Sequence, residues 1–300
     1  MICDGLEVPE GPVVLPDGDV LVVEIMGGRL QRIDPRTGSR SVVAKLGGGP
    51  NGAALGPDGQ LYVCNNGGSE WHRLDGPLCL PRTRATGTAA HGYLQRVDLD
   101  TGHVELLLDA CDGHPLNSPN DLTFDEHGGL YFTDFGRSLD GVAELGCVYY
   151  VPPGGGRMMR VLTGLQRPNG CGLSPSGDRL YVSETFTGRV WWWEVAGPGR
   201  LIGGETYHGS GGGNLLYGAG GYRLFDSLAV EACGNVCVAT YFDAGISVIS
   251  PEGELVELVE IEDRLVTNLA FGGTDMSMAY VTAVGAGALL EVPWPRPGLG

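Results

Sequence analysis

Asn51-Gly52-Ala53-Ala54-Leu55-Gly56-Pro57-Asp58-Gly59-Gln60-Leu61-Tyr62-Val63 contains the unit from which the chain is built. A polar residue opens a short apolar run, an Asp-Gly turn interrupts it, and a second apolar run follows. That order reads as a β-hairpin with a tight turn. The same unit starts at Glu10, turns at Asp17-Gly18 and continues as Val20-Leu21-Val22-Val23. It recurs from Asn120 through His127-Gly128 to Leu130-Tyr131-Phe132, and from Asn169 through Ser176-Gly177 to Leu180-Tyr181-Val182. Two further copies open at Asp226, turning at Cys233-Gly234, and at Asn268, turning at Asp275. In all six the opening polar residue stands seven positions before the turn residue.

Most copies continue into a third apolar stretch, such as Arg29-Leu30-Gln31-Arg32-Ile33 or Arg189-Val190-Trp191-Trp192-Trp193, and Val104-Glu105-Leu106-Leu107 can supply a fourth. Three or four antiparallel strands repeated six times predict an all-β fold, a six-bladed β-propeller filling residues 1–300 as one domain. The opening residues are 41, 69, 49, 57 and 42 positions apart, so the longer steps carry insertions, near 67–92 and 197–222. On a strand the three tryptophans alternate faces, Trp191 and Trp193 on one side and Trp192 on the other, which suits packing between blades.

Composition removes several classes of function. Asp and Glu outnumber Lys and Arg by 36 to 19, a formal charge of −17, which argues against nucleic acid as a partner. No apolar run is long enough for a membrane helix, and Met1-Ile2-Cys3-Asp4-Gly5-Leu6-Glu7 has no basic stretch leading an apolar one. A cytoplasmic location is expected, with a small-molecule substrate as partner and the oligomeric state left open. The 52 glycines follow no three-residue period, which excludes collagen, and an apolar fraction of 42% excludes disorder. Cys64, Cys147, Cys171 and Cys237 lie inside apolar runs and read as small buried hydrophobes. With no Cys-x-x-Cys and no histidine cluster, a zinc-finger-type site is excluded.

In a propeller the first strand of each blade lines the central channel, so the six openers converge on one mouth. Glu10, Asn51, Asn120, Asn169, Asp226 and Asn268 all carry oxygen and none is a soft ligand. Such a ring suits one hard divalent cation in the channel, Ca²⁺ before Mg²⁺, with Mn²⁺ and Zn²⁺ as further alternatives. The plainer reading is that Asn and Asp cap strand ends through local hydrogen bonds. It serves for any single opener and less well for six in register.

Glu10-Gly11-Pro12, Ser118-Pro119-Asn120-Asp121, Arg167-Pro168-Asn169-Gly170 and Asp226-Ser227-Leu228 resemble the metal-binding strand starts of the SMP-30/gluconolactonase/LRE family. Pro50-Asn51-Gly52, Cys64-Asn65-Asn66-Gly67-Gly68 and the closing Pro293-Trp294-Pro295 add to the resemblance, which runs from about Glu7 to the end. It implies a six-bladed propeller, in many members a lactonase, with one divalent cation, commonly Ca²⁺, in the channel. By resemblance Glu10, Asn169 and Asp226 match the principal metal ligands, and Asn120 matches an asparagine that ligates metal or contacts substrate. Asp121 matches a residue near the substrate. Asn51 and Asn268 receive no role from it.

The reaction expected is the opening of a lactone by activated water, with Asp226 or another channel carboxylate taking the proton. No Gly-x-Ser-x-Gly elbow is present, and none is needed. Trp71, His72 and Arg73 in the first insertion are candidates for substrate contact. The glycine-rich Gly209-Ser210-Gly211-Gly212-Gly213 reads as a flexible loop, and a second insertion over the mouth would reshape the pocket for something other than a sugar lactone. Glu24, Asn65, Asp134 and Glu184, at the ends of the second strands, read as exposed turn residues. The alternatives are an organophosphate-type ester hydrolase, a biosynthetic cyclase or isomerase on the same scaffold, and a non-catalytic binding propeller.

Overall fold

In a computed structural model the chain is described over residues 1–73, 79–84, 91–139, 142–203 and 212–299, with the side chains of 73, 79–84, 138, 139 and 142 left undescribed. Regular structure among these residues is all strand. Six antiparallel sheets follow one another along the sequence, and their first strands stand side by side in a ring, a six-bladed β-propeller. The innermost strands are Pro9–Val14, Pro50–Leu55, Pro119–Phe124, Pro168–Leu173, Leu224–Val230 and Val266–Gly272. The second strands, ending at Glu24, Asn65, Asp134, Glu184, Tyr241 and Ala283, run back towards the mouth at which the inner strands begin. The Asp-Gly-type turns therefore lie at the opposite end.

The second strands are apolar over most of their length because both of their faces are covered. Val20 and Val22 pack towards the sixth blade, while Leu21 and Val23 pack towards the second. Tyr131 faces the fourth blade and Phe132 the second. Each of the six gaps between blades holds its own cluster of buried side chains. The tryptophans follow this scheme, with Trp191 and Trp193 in the gap to the third blade and Trp192 in the gap to the fifth. Cys64, Cys147, Cys171 and Cys237 are buried as free thiols.

The sixth blade has three named strands, Val266–Gly272, Met278–Ala283 and Ala288–Pro293. Its outer edge is met by the start of the chain. Ile2 N donates to Leu289 O at 2.9 Å and Leu289 N to Cys3 O at 3.1 Å, so both ends of the described chain share a blade. The opposite tail fastens to the far end of the ring. Buried Glu231 accepts Trp294 Nε1 at 2.7 Å and Arg296 Nε at 2.6 Å, and Leu299 lines the foot of the channel.

The second insertion departs from expectation. Arg200–Ile202 and Asn214–Gly218 both pair with Arg189–Gly197, on the outer edge of the fourth blade. The chain thus leaves and rejoins an outermost strand, and its flanks stand away from the channel. Residues 204–211, with Tyr207, His208 and most of the glycine run, lie outside the described residues. The first insertion forms a hairpin, Ser69–Arg73 with Cys79–Arg84, on the mouth side of the second blade.

Candidate metal and active site

Every inner strand carries a register irregularity at its polar opener: between Glu10 and Val13, Pro50 and Ala53, Pro119 and Leu122, Pro168 and Cys171, Phe225 and Leu228, and Val266 and Asn268. A bulge inserts an extra residue and re-aims its side chain. Repeated six times, it brings all six openers into the buried wall of the channel. The geometry needs glycine directly after an opener. Gly11 has φ +51°, and a Cβ there would meet Asn51 O at 2.5 Å. A Cβ on Gly170 would strike Leu228 N and Ser227 of the next inner strand.

Bulges leave backbone groups outside the ladder, and buried groups of that kind need partners. Hydroxyls on the second strands supply them. Thr133 Oγ1 accepts from Asp121 N at 3.1 Å and donates to Asn169 O of the next blade at 2.5 Å. Ser183 repeats the device, accepting from Gly170 N at 2.9 Å and donating to Asp226 O at 2.6 Å. Cys64 Sγ lies 3.8 Å from Asp121 O in the corresponding place. The second, third and fourth blades thereby each reach the bulge of the next blade.

The openers form one linked cluster. Asn268 Nδ2 donates to Glu10 Oε2 at 2.7 Å. The Ser227 hydroxyl stands 3.5 Å from Glu10 Oε1 and 3.4 Å from Asn169 Oδ1, and also contacts the Asp121 carboxylate. Asp226 accepts from Asn169 and from the Tyr241 hydroxyl, and Asn169 Nδ2 donates to Thr185 Oγ1 at 3.1 Å. Glu10, Asp121, Asn169 and Asp226 are thus together, as expected. Asn120 sits in the same ring, its Oδ1 buried with no hydrogen-bond partner.

Oxygen is in surplus here. One Ser227 proton faces three acceptors, and among the described residues no Lys or Arg pairs with these carboxylates. Burial, with the mutual repulsion of the acids, pushes Glu10 well above the usual carboxylate range. Burial raises Asp121 and Asp226 to about 7, and burial beside Asp226 raises the Tyr241 phenol. Among the described residues no three His, Cys, Asp or Glu side chains form a metal-ligating group. A cation here would draw on amide oxygens as well as carboxylates. Hard oxygen donors, excess acidity and an orphaned Asn120 Oδ1 fit a divalent cation of the Ca²⁺ type. Below the cluster lies a cavity of about 270 Å³, lined by Asp121, Cys171, Leu228, Asn268 and Leu299 among others.

Known proteins share this arrangement of sequence and fold. The family model described as the SMP-30/gluconolactonase/LRE-like region matches residues 8–285. The chain belongs to that family. Among curated members, a gluconolactonase of Zymomonas mobilis is 26% identical across 86% of this chain and 71% of its own. The diisopropyl-fluorophosphatase of Loligo vulgaris is 26% identical across 96% and 90%. The lactonase drp35 of Staphylococcus haemolyticus is 27% identical across 83% and 68%. In fold, a gluconolactonase from Xanthomonas campestris superposes with a TM-score of 0.76 at 22% identity, over 98% of this chain and 88% of that one. A calcium-binding regucalcin from Agrobacterium tumefaciens gives 0.72 at 20% identity, over 94% and 83%.

Within this SMP-30-type propeller two expectations need correction or completion. Glu24, Asn65, Asp134 and Glu184 are buried, not exposed turn residues. Each gathers the backbone of the mouth-side loops: Asp134 accepts from Asn117, Ser118 and Gly136, all between 2.8 and 2.9 Å. Asn65 Oδ1 accepts from Gly49 at 2.9 Å and Gly67 at 3.0 Å. Connecting loops leave many N–H groups unpaired, and a carboxylate or amide at the strand exit satisfies several at once. Trp71 lies at the mouth, packed against Val8 and Val284 of the first and sixth blades. His72 is exposed, and the Arg73 side chain lies outside the described residues. Ser227, Thr185 and Tyr241 were missed as partners of the cluster. The signal was available for Ser227, which follows an opener as Asp121 does; Thr185 and Tyr241 each follow the second-strand residue paired with the position before an opener, Glu184 with Pro168 and Thr240 with Phe225, a relation that only the pairing reveals.

Proposed function

We propose that this chain is a divalent-cation-dependent hydrolase that opens a lactone with water. The observation that carries the reading is the buried oxygen cluster of Glu10, Asn120, Asn169 and Asp226, whose acids have only neutral donors among the described residues, with Asn120 Oδ1 unpartnered in the wall. Glu10, Asn169 and Asp226 would hold the cation, and Asn120 would complete the set or meet the substrate oxygen. When bound, the cation supplies Lewis acidity towards the ester carbonyl and its attacking water. The remaining work falls to the chain. Asp226, oriented by Tyr241 and Asn169, accepts a proton as the water oxygen bonds to the carbonyl carbon. The ring C–O bond breaks, a proton passes to the departing oxygen, and a hydroxy acid leaves. Asp121, within reach of Ser227, is a second carboxyl able to carry that proton.

Relatives named gluconolactonase and lactonase support this reaction class. A second reading, hydrolysis of a phosphorus ester, is favoured by the relative named diisopropyl-fluorophosphatase, whose match spans most of both chains. The same oxygen cluster would serve it. The decisive experiment is proton release from sugar, aliphatic and aromatic lactones and from a fluorophosphate. Chelator-stripped protein would be used, with Ca²⁺, Mg²⁺, Mn²⁺ or Zn²⁺ restored singly. Lactone opening restored by one cation is expected. Undiminished activity after exhaustive chelation would remove the metal hydrolase from consideration.

A further inference from the structure

The residues that hold the cluster are followed, on the mouth side, by aromatic rings. Phe135 follows Asp134, Phe186 follows Thr185, and Phe242 follows Tyr241. Phe135 and Phe186 meet edge to face, centroids 6.1 Å apart, and Tyr222 stacks on Phe242 at 5.6 Å. Phe186 is 63% exposed and Tyr222 76%. Across the mouth, Trp71 reaches from the second blade onto Val8 and Val284, beside Ile25, Met26 and Leu265. Single exposed apolar residues are ordinary. Two ring pairs from the third, fourth and fifth blades, with an apolar patch on the first and sixth, make an aromatic collar at one mouth.

Three arginines near this collar are already engaged. The Arg167 guanidinium lies 5.4 Å from the Phe135 ring and donates to Phe135 O. Arg223 pairs with Asp243, and Arg264 donates to Phe242 O. A sugar lactone presents hydroxyls all round its ring and needs fixed polar partners, because hydroxyls desolvated without partners cost binding. Aromatic rings offer area and ring-to-ring contact instead.

We propose that the substrate carries an aryl or bulky alkyl substituent, held by Phe186, Tyr222, Phe242 and Trp71 while its ester carbonyl reaches the oxygen cluster. The proposal rests on the hydrolase reading of that site and names its substrate class. Phe186 and Tyr222 are exposed, so the double variant Phe186→Ser/Tyr222→Ser removes two rings without opening the core.

The test uses the full chain with Ca²⁺ present. First, kcat/KM is measured for γ-phenyl-γ-butyrolactone and for D-glucono-δ-lactone. The wild type should favour the phenyl lactone by about tenfold or more, and the double variant should lower that ratio by about 5- to 150-fold, as two lost ring contacts imply. Preference for the sugar lactone, or an unchanged ratio in a folded variant, overturns the proposal. Second, calorimetry compares binding of the ring-opened acids, 4-hydroxy-4-phenylbutyrate and gluconate. Tighter binding of the phenyl acid, lost in the double variant, supports the proposal, and equal binding overturns it. If neither lactone is opened while the phenyl acid still binds through the rings, the hydrolase reading fails and the aromatic collar stands.

Discussion

Two groups of carboxylates are buried in this molecule, and the fold treats them in opposite ways. At the strand exits and the base, each acid is surrounded by donors. Glu24 accepts from Glu7 N at 2.8 Å, from Gln31 Nε2 at 3.0 Å and from Arg29, and these bonds hold it below the usual carboxylate range despite burial. Glu231, bonded by Trp294, Asn235 and Arg296, is lowered for the same reason. In the channel Glu10, Asp121 and Asp226 are also buried, yet their donors are neutral amides and hydroxyls with no Lys or Arg among the described residues, and their affinity for protons rises. Burial is common to both groups, so burial does not mark the site. Unsatisfied acidity does.

The sharpest way to break this comparison is to neutralise one member of each group. Asp226→Asn should lower kcat/KM by about 10²- to 10⁴-fold, as loss of a proton acceptor does. The cation-free form of this variant should melt no lower than cation-free wild type, since an amide has no charge to desolvate. Glu231→Ala should do the reverse, losing about 3 kcal/mol of stability because it leaves the buried Trp294 and Asn235 donors unpaired, with kcat/KM kept in the folded fraction. Denaturant unfolding of both variants checks the pair, and a fall in stability for both would erase the distinction.

Cation binding should follow next in size. At a hundredfold excess over Kd, Ca²⁺ should add about 2.7 kcal/mol to unfolding. The channel acids also set a pH dependence. Their native pKa values lie above the unfolded ones near ~4, so the native state binds protons more tightly. Their contribution is fully present below the unfolded values and is lost as pH rises through about 7 for Asp121 and Asp226. Cation-free protein should therefore melt lower at pH 8 than at pH 5, and saturating Ca²⁺ should abolish most of that fall. A fall of the same size with and without Ca²⁺ would count against the channel acids as its source.

The smallest effect sharpens the role of the hydroxyl bridges. Ser183→Ala should cost about 1 kcal/mol, as loss of a buried hydrogen bond does. It should also weaken Ca²⁺ binding, because Ser183 fixes the bulge that carries Asp226. Calorimetric titration of Ca²⁺ checks this. An unchanged Kd would make Ser183 a purely structural link.

The repeat made six openers visible, and with them Glu10, Asn120, Asn169 and Asp226, because a constant offset from a turn survives in one dimension. Asp121 could be reached from the resemblance. Glu24 and Asp134 could not be read correctly, since a carboxylate beside a turn looks the same whether water or loop backbone surrounds it. Tyr241 and Thr185 were hidden for another reason. Their roles depend on the bulge register, which moves a side chain between channel and blade by a single residue.

The sequence by itself determined the number of blades, the strands within them and the ring of oxygen-bearing openers, because alternation and turn chemistry are local. Only the tertiary structure decided which acids are satisfied and which are left wanting a cation, and that the start of the chain completes the sixth blade. It alone put the flanks of the second insertion on an outer edge and gathered Trp71 and the phenylalanines around one mouth. Those properties depend on residues far apart in sequence meeting in space, and on whether a buried oxygen finds a donor there.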